Sequence, residues 1–169
     1  MPELLPILPL RGNVFFPGVI TPITAGREKS IKLIKTAYKN RQIIGIVAQK
    51  SISVEDPDNS DLYKVGTLAK VVKTLNMPDG STMVILQGLD RFCLEELTQT
   101  EPYWMGKVKE YPDGAKDLPE NYMALAEAVK DMYLRVLKMV PNIPADPSFA
   151  IQNIENPYFL LNYVAAHLD

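Results

Sequence analysis

The residue pattern predicts an α+β chain, with a β-rich body over residues 1–112 and a helical segment over 113–169. Three observations carry this expectation. Two strand-like runs, Tyr63–Asn76 and Ser81–Leu94, flank Met77-Pro78-Asp79-Gly80. Proline presets φ at the second position of a turn, and Asp-Gly supplies the positive φ that a hairpin needs. From Pro119 to Val140 the apolar positions Tyr122, Leu125, Ala126, Val129, Met132, Tyr133, Val136, Leu137 and Val140 recur at helical spacing. The charge also shifts, since residues 1–112 hold 14 basic and 12 acidic side chains and residues 113–169 hold 4 and 8.

The elements follow in order. Residues 4–10 are apolar but interrupted by Pro6 and Pro9, which predicts an edge or irregular strand. Residues 19–25 form a second short strand, also with a proline. Gly26-Arg27-Glu28-Lys29-Ser30 opens a helix through about Asn40, with Ile31, Ile34 and Tyr38 as its buried stripe. Lys29, Lys32, Lys35 and Lys39 form the opposite face. Residues 43–48 read as a strand buried on both sides. The polar, acidic run 51–62 reads as a surface loop. Gly66 and Gly88 suggest bulges or sharp bends in the long hairpin strands, as a small barrel requires. Residues 103–111 make a further strand. Pro119 suits a first helical turn, and Asp146-Pro147 and Asn156-Pro157 mark two more helix starts.

Several function classes are excluded or disfavoured. One histidine, His167, lies near the chain end, a poor place to hold a general base. One cysteine, Cys93, sits between Phe92 and Leu94 and reads as a small core residue. One histidine and one cysteine cannot build a closed zinc site. No glycine opens a phosphate-binding loop, and no serine sits in Gly-x-Ser-x-Gly. The acidic clusters Glu55-Asp56-Pro57-Asp58 and Glu95-Glu96 read as solvated loop and strand ends. The expectation is a domain with no catalytic residue, no cofactor and no metal. A net charge of −2 gives no polyanion-binding signature. The lysine face carries no interleaved aromatic platform, which argues against nucleic acid as a partner. The lone cysteine and the lack of a long apolar run predict a cytoplasmic protein with no membrane partner.

Some stretches carry a family likeness. Leu8-Pro9-Leu10-Arg11-Gly12-Asn13-Val14-Phe15-Phe16-Pro17 resembles the opening of the amino-terminal, substrate-binding domain of Lon-type ATP-dependent proteases. Gly26-Arg27-Glu28-Lys29-Ser30, Val47-Ala48-Gln49-Lys50, Val65-Gly66-Thr67, Pro78-Asp79-Gly80 and Gln87-Gly88-Leu89-Asp90-Arg91 follow in the same order, and Ala165-Ala166-His167 extends the likeness to nearly the whole chain. The resemblance implies a PUA-like β pseudo-barrel with an inserted helix, followed by a helical bundle. It implies a homohexameric parent that uses ATP and Mg and a Ser-Lys peptidase dyad, none of which maps onto a residue here. The end at Leu168-Asp169 without a capping glycine is expected of a piece of a longer protein.

The partners implied are unfolded or damaged client proteins and other copies of the parent. Such a domain should expose apolar surface, and Phe15, Phe16, Met77, Tyr103 and Trp104 are the candidates to contact clients. Core or turn packing is the competing assignment for each. The alternatives are a stand-alone adaptor or scaffold, and a PUA-like nucleic-acid-binding module.

Overall fold

The computed structural model describes residues 3–111, 119–139 and 148–168. The chain divides into two compact units, Met1–Tyr111 and Pro112–Asp169.

The first unit contains six strands and one helix: β1 (Leu4–Leu10), β2 (Ile20–Ala25), α1 (Glu28–Asn40), β3 (Ile43–Ala48), β4 (Val65–Asn76), β5 (Thr82–Gln99) and β6 (Met105–Glu110). The strand order is β2-β5-β4-β3-β1-β6, and β5 also pairs with β6. Five strands therefore close on themselves, and β2 lies beside the first half of β5. The one parallel pair is β1 with β3, which requires a crossover. β2 and α1 supply it.

The hairpin forms as its turn chemistry dictates. Gly80 takes φ +85, and its N–H donates to the Met77 carbonyl at 3.1 Å. The Asp79 carboxylate accepts from both the backbone N–H and the hydroxyl of Ser81. β5 alternates buried and half-buried residues from Thr82 to Leu94 except at exposed Asp90, the period of a strand with one face in a core. Register shifts fall between Thr67 and Ala69 and between Val71 and Lys73 of β4. They bend the hairpin toward closure.

Four expectations need correction. β1 is not an edge strand, because it lies between β3 and β6. Its prolines are tolerated because neighbouring groups are used elsewhere: the Ile7 N–H donates to the Trp104 carbonyl, and the Pro9 carbonyl accepts from Arg27. The buried face of α1 is Ser30, Leu33, Ile34 and Ala37, while Tyr38 is exposed and Ile31 half-buried. Lys29 does not join the solvated face of Lys32, Lys35 and Lys39, because it is drawn into ion pairs with Asp56 and Glu101. Gly66 pairs in regular register with Phe92 instead of marking a bulge. A Cβ on Gly66 would strike the Ile46 carbonyl and the Phe92 ring, and one on Gly88 would strike the Phe16 carbonyl. Both glycines are therefore places of close approach.

Two clusters fill the interior of this unit. In one, α1 places Leu33, Ile34 and Ala37 against Leu8, Phe15, Ile44, Ile46, Ala69, Val84 and Leu86. In the other, Leu5, Ile7, Val47, Leu62, Leu94 and Val108 surround Phe92 and Trp104.

The second unit contains α2 (Tyr122–Met139), α3 (Ser148–Gln152) and α4 (Pro157–Ala166). Ala126 and Tyr133 of α2 pack with Ile151, Ile154, Leu160 and Val164. The Asn156 side chain caps α4, accepting from Tyr158 N at 2.9 Å and Phe159 N at 3.2 Å, with Pro157 in the first turn. Asp146-Pro147, the other expected helix start, lies outside the described residues.

The close packing at Gly66 is testable. Gly66→Ala should lower stability by about 1–3 kcal/mol through overpacking. The measurement is the urea midpoint. An unchanged midpoint would show that Phe92 can shift at no cost.

Candidate functional site

An apolar groove opens where the 11–18 segment meets the start of β4. Val14, Phe15, Phe16, Ile46, Ala48, Tyr63, Val65 and Gly66 line it, with Lys64, Thr67 and Arg91 among them. Its volume is about 380 Å³. Val14 is 62% exposed and Tyr63 is 52% exposed, so the rim presents apolar surface to solvent.

Each wall has a local cause. The Phe15 carbonyl accepts from the buried Thr67 hydroxyl at 2.6 Å. The Gly18 N–H donates to the Gly88 carbonyl at 3.1 Å, and the Gly88 N–H donates to the Val19 carbonyl at 2.9 Å. These bonds hold the 15–19 backbone against β4 and β5. The other wall begins at Leu62, which is fully buried, and the Tyr63 N–H donates to the Ala48 carbonyl at 3.1 Å. Tyr63 thus projects from an anchored connection and Val65 from the first position of β4.

The five expected contact residues separate in space. Phe15 is only 8% exposed, and its ring belongs to the core. Phe16 is half-buried and lines the groove. Met77 is half-buried at the far end of β4. At about 3.3 Å per residue, some 30 Å of strand separates it from Thr67. Tyr103 is half-buried against the core. Trp104 is 1% exposed and is not a surface contact. Its indole N–H donates to the Pro57 carbonyl at 3.2 Å, and the Arg27 and Lys29 cations sit over its ring at 5.2 and 5.1 Å.

Sequence reasoning missed Val14, Tyr63 and Val65. Val14 lies in one segment and Tyr63 and Val65 in another, and only folding brings the two together. It also missed the role of the polar run after β3. That run forms a lobe whose neck is closed by the Gln49–Leu62 bridge and by the Lys50 N–H bond to the Asp61 carbonyl at 2.8 Å. Arg27 holds the lobe to the strands. Its Nη1 donates to Gln49 Oε1 at 2.8 Å and to the Glu55 carbonyl at 3.1 Å, and its Nη2 donates to the Pro9 carbonyl at 2.6 Å. Arg11 pairs with the Glu55 carboxylate at 2.9 Å, and Lys29 pairs with Asp56 at 2.8 Å. No cluster of three or more metal-ligating side chains is found among the described residues.

The electrostatics follow this geometry. The hydrogen bond from Arg11, helped by the charges of Arg11 and Arg27, holds the Glu55 carboxyl below its ordinary value. The hydrogen bonds that Lys29 donates to the Asp56 and Glu101 carboxylates raise its ammonium above its ordinary value. Burial lowers the Arg27 guanidinium, which still remains cationic.

Two tests follow. Arg27→Lys keeps the charge but loses the fork that spans three acceptors. It should lower stability by about 2 kcal/mol, read by urea unfolding, and shift the emission of the sole tryptophan. A variant that matches the parent in both would remove Arg27 from its role. For Glu55, the depressed folded value means its contribution is present above the unfolded value and is lost as pH falls through the folded one. The Trp104 emission should therefore change on acidification below the ordinary carboxylate range, and Glu55→Gln should abolish that part of the change.

Known proteins can be set beside this geometry. A family model described as the ATP-dependent protease La (LON) substrate-binding domain matches residues 4–169. The Lon protease of Flavobacterium johnsoniae is 44% identical over 170 residues, covering 100% of this chain and 21% of that protein. That of Cytophaga hutchinsonii is 44% identical over 169 residues, covering 99% and 21%. The chain thus spans about a fifth of the length of these curated relatives. Among solved structures, the N-terminal domain of Mycobacterium avium complex Lon protease matches with a TM-score of 0.74 and 17% identity, covering 99% of this chain and 85% of that one. The Lon N-terminal domain protein from Xanthomonas campestris matches with a TM-score of 0.58 and 18% identity, covering 98% and 99%. Those two likenesses speak for the fold alone. The family model and the identities, across essentially the whole chain, establish that it belongs to the Lon substrate-binding domain family.

Proposed function

We propose that the chain captures client proteins for an ATP-dependent Lon-type protease, using the groove beside Phe16 to hold apolar segments of unfolded or damaged polypeptide. The observation that carries this reading is an open apolar groove whose rim exposes Val14, Tyr63 and Val65. A concave, mostly apolar surface of that kind is the shape that receives an apolar side chain. No bond is cleaved here. ATP, Mg and the Ser-Lys dyad belong to other modules of the parent, which works as a cytoplasmic homohexamer. The closed sheet is read as a PUA-like pseudo-barrel, and α2–α4 as the start of a helical bundle. Met77, at the hairpin tip, is a second and separate contact.

Among the described residues no helix is long and apolar enough to cross a membrane.

The test is photo-crosslinking to a permanently unfolded protein. Val65→Ser alters an exposed side chain and should leave folding intact. It should weaken crosslinking about threefold, a fraction of the transfer energy of a valine side chain. Phe16→Ser should weaken it further, and Met77→Ser should do so independently. Undiminished crosslinking in both Val65→Ser and Phe16→Ser would reject the groove as the client site.

A further inference from the structure

β2 ends the sheet. Among the described residues it pairs only with β5, so its other edge has no strand beside it. An edge of this kind offers unpaired N–H and C=O groups to any second strand that arrives. β2 is six residues long, and its exposed residues are Ile20, Pro22 and Thr24.

The register and one hydrogen bond fix which backbone groups face outward. The Gly88 N–H donates to the Val19 carbonyl at 2.9 Å, so Val19 turns that carbonyl toward β5. In an antiparallel pair this direction alternates from residue to residue. Thr21 and Ile23, opposite Leu86 and Val84, therefore direct their N–H and C=O groups at β5. Ile20, Pro22 and Thr24 direct theirs at the free edge. Pro22 thus costs the β2–β5 ladder no bond. What it removes is the central donor of the free edge.

The entry to β2 is blunted as well. Gly18 and Val19 together oppose Gly88, since the Gly18 N–H donates to the Gly88 carbonyl at 3.1 Å. Gly18 adopts φ +79, as the first residue of such a bulge does. The strand therefore cannot extend its free edge backward in register.

The strand best matched to this edge is β2 of a second copy, paired antiparallel about a two-fold axis. Ile20 then opposes Thr24, and Pro22 opposes Pro22. A hydrogen-bonded pair exchanges both of its N–H···O bonds. At the centre of this pairing neither copy has a hydrogen to give, and each ring stands where the opposing carbonyl must come.

We propose that Pro22 is a built-in block that keeps β2 from adding a strand from a second copy of this chain. Copies that associate do so through other surfaces. The proposal stands apart from the groove and from any reading of its occupant.

The experiment is sedimentation over a range of protein concentration, with amide hydrogen exchange on the same samples. Pro22→Thr and Pro22→Ala both restore the missing donor, and neither enlarges the apolar surface. As concentration rises, each should climb to about twice the mass of the parent. Exchange at Ile20 and Thr24 should slow with it, and the parent should show neither change. Adding Thr24→Pro to Pro22→Thr removes an outward donor again and should return the mass to that of the parent. Parent-like sedimentation in both single variants would overturn the proposal. Association that survives Thr24→Pro, or that leaves exchange at Ile20 unchanged, would place the contact elsewhere and overturn it too. Loss of the native circular dichroism in both single variants would contradict the outward placement of Pro22, because a residue outside the ladder is not needed for folding.

Discussion

The Arg27 guanidinium is the constraint on which the rest of this unit depends. It stands at the entry of α1, outside the helix, in extended backbone. From there its planar fork reaches a carbonyl of β1, the amide of Gln49 and the carbonyl of Glu55. Those acceptors belong to two regions remote from each other in sequence, Pro9 in β1 and the stretch from Gln49 to Glu55. A guanidinium satisfies them because its donors are fixed in one plane and splayed apart. A charge half-removed from water would be costly alone. Here its hydrogen bonds, the Trp104 ring and the nearby carboxylates offset that cost.

The arrangement links core and surface. Trp104 fills the second interior cluster, and its one polar atom is satisfied by the Pro57 carbonyl of the lobe. The lobe therefore seals a buried tryptophan, while Ile52 at its tip lies near Gly12. Close backbone packing does the same for the opposite wall. Gly88 lets the Phe16 carbonyl approach β5, and Thr67 holds the Phe15 carbonyl. With Phe15 pulled inward as core, Phe16 is left facing the groove. Alternation along an extended segment thus sends one phenylalanine to stability and its neighbour to the surface.

Much of the fold was legible in the residues, and the reason differs by element. The hairpin was readable because turn chemistry is local, and Pro78-Asp79-Gly80 allows few backbones. The Asn156-Pro157 cap was readable for the same reason. The α1 stripe was displaced because Ile31 and Tyr38 outweighed the smaller Ser30 and Ala37 by hydrophobicity, whereas packing against the sheet selected size. Trp104 was misplaced because an aromatic triplet looks alike as core or contact. The groove was the least legible part. Val14, Phe16, Tyr63 and Val65 come from segments nearly fifty residues apart in sequence, joined by strand pairing that no local pattern specifies. Phe16 was recognised because two adjacent phenylalanines must face opposite ways.

A groove of this size also constrains how tightly any client can be held. About 380 Å³ admits one large or two small side chains. Burying roughly 100–150 Å² of apolar surface at about 25 cal/mol per Å² yields only ~2.5–4 kcal/mol, before the cost of ordering an unfolded chain. A single site of that strength binds no more tightly than about the millimolar range. Weak binding suits a recognition surface that must accept many sequences, since the contacts are apolar and non-directional. It would not suffice alone. In the proposed assembly of several copies, a client gripped at one groove meets the next at a high effective concentration, and avidity rises without any new contact. Selectivity then depends on how many exposed apolar segments a chain presents at once. A folded protein presents few such segments and an unfolded one presents many, so a weak groove discriminates between them better than a tight one.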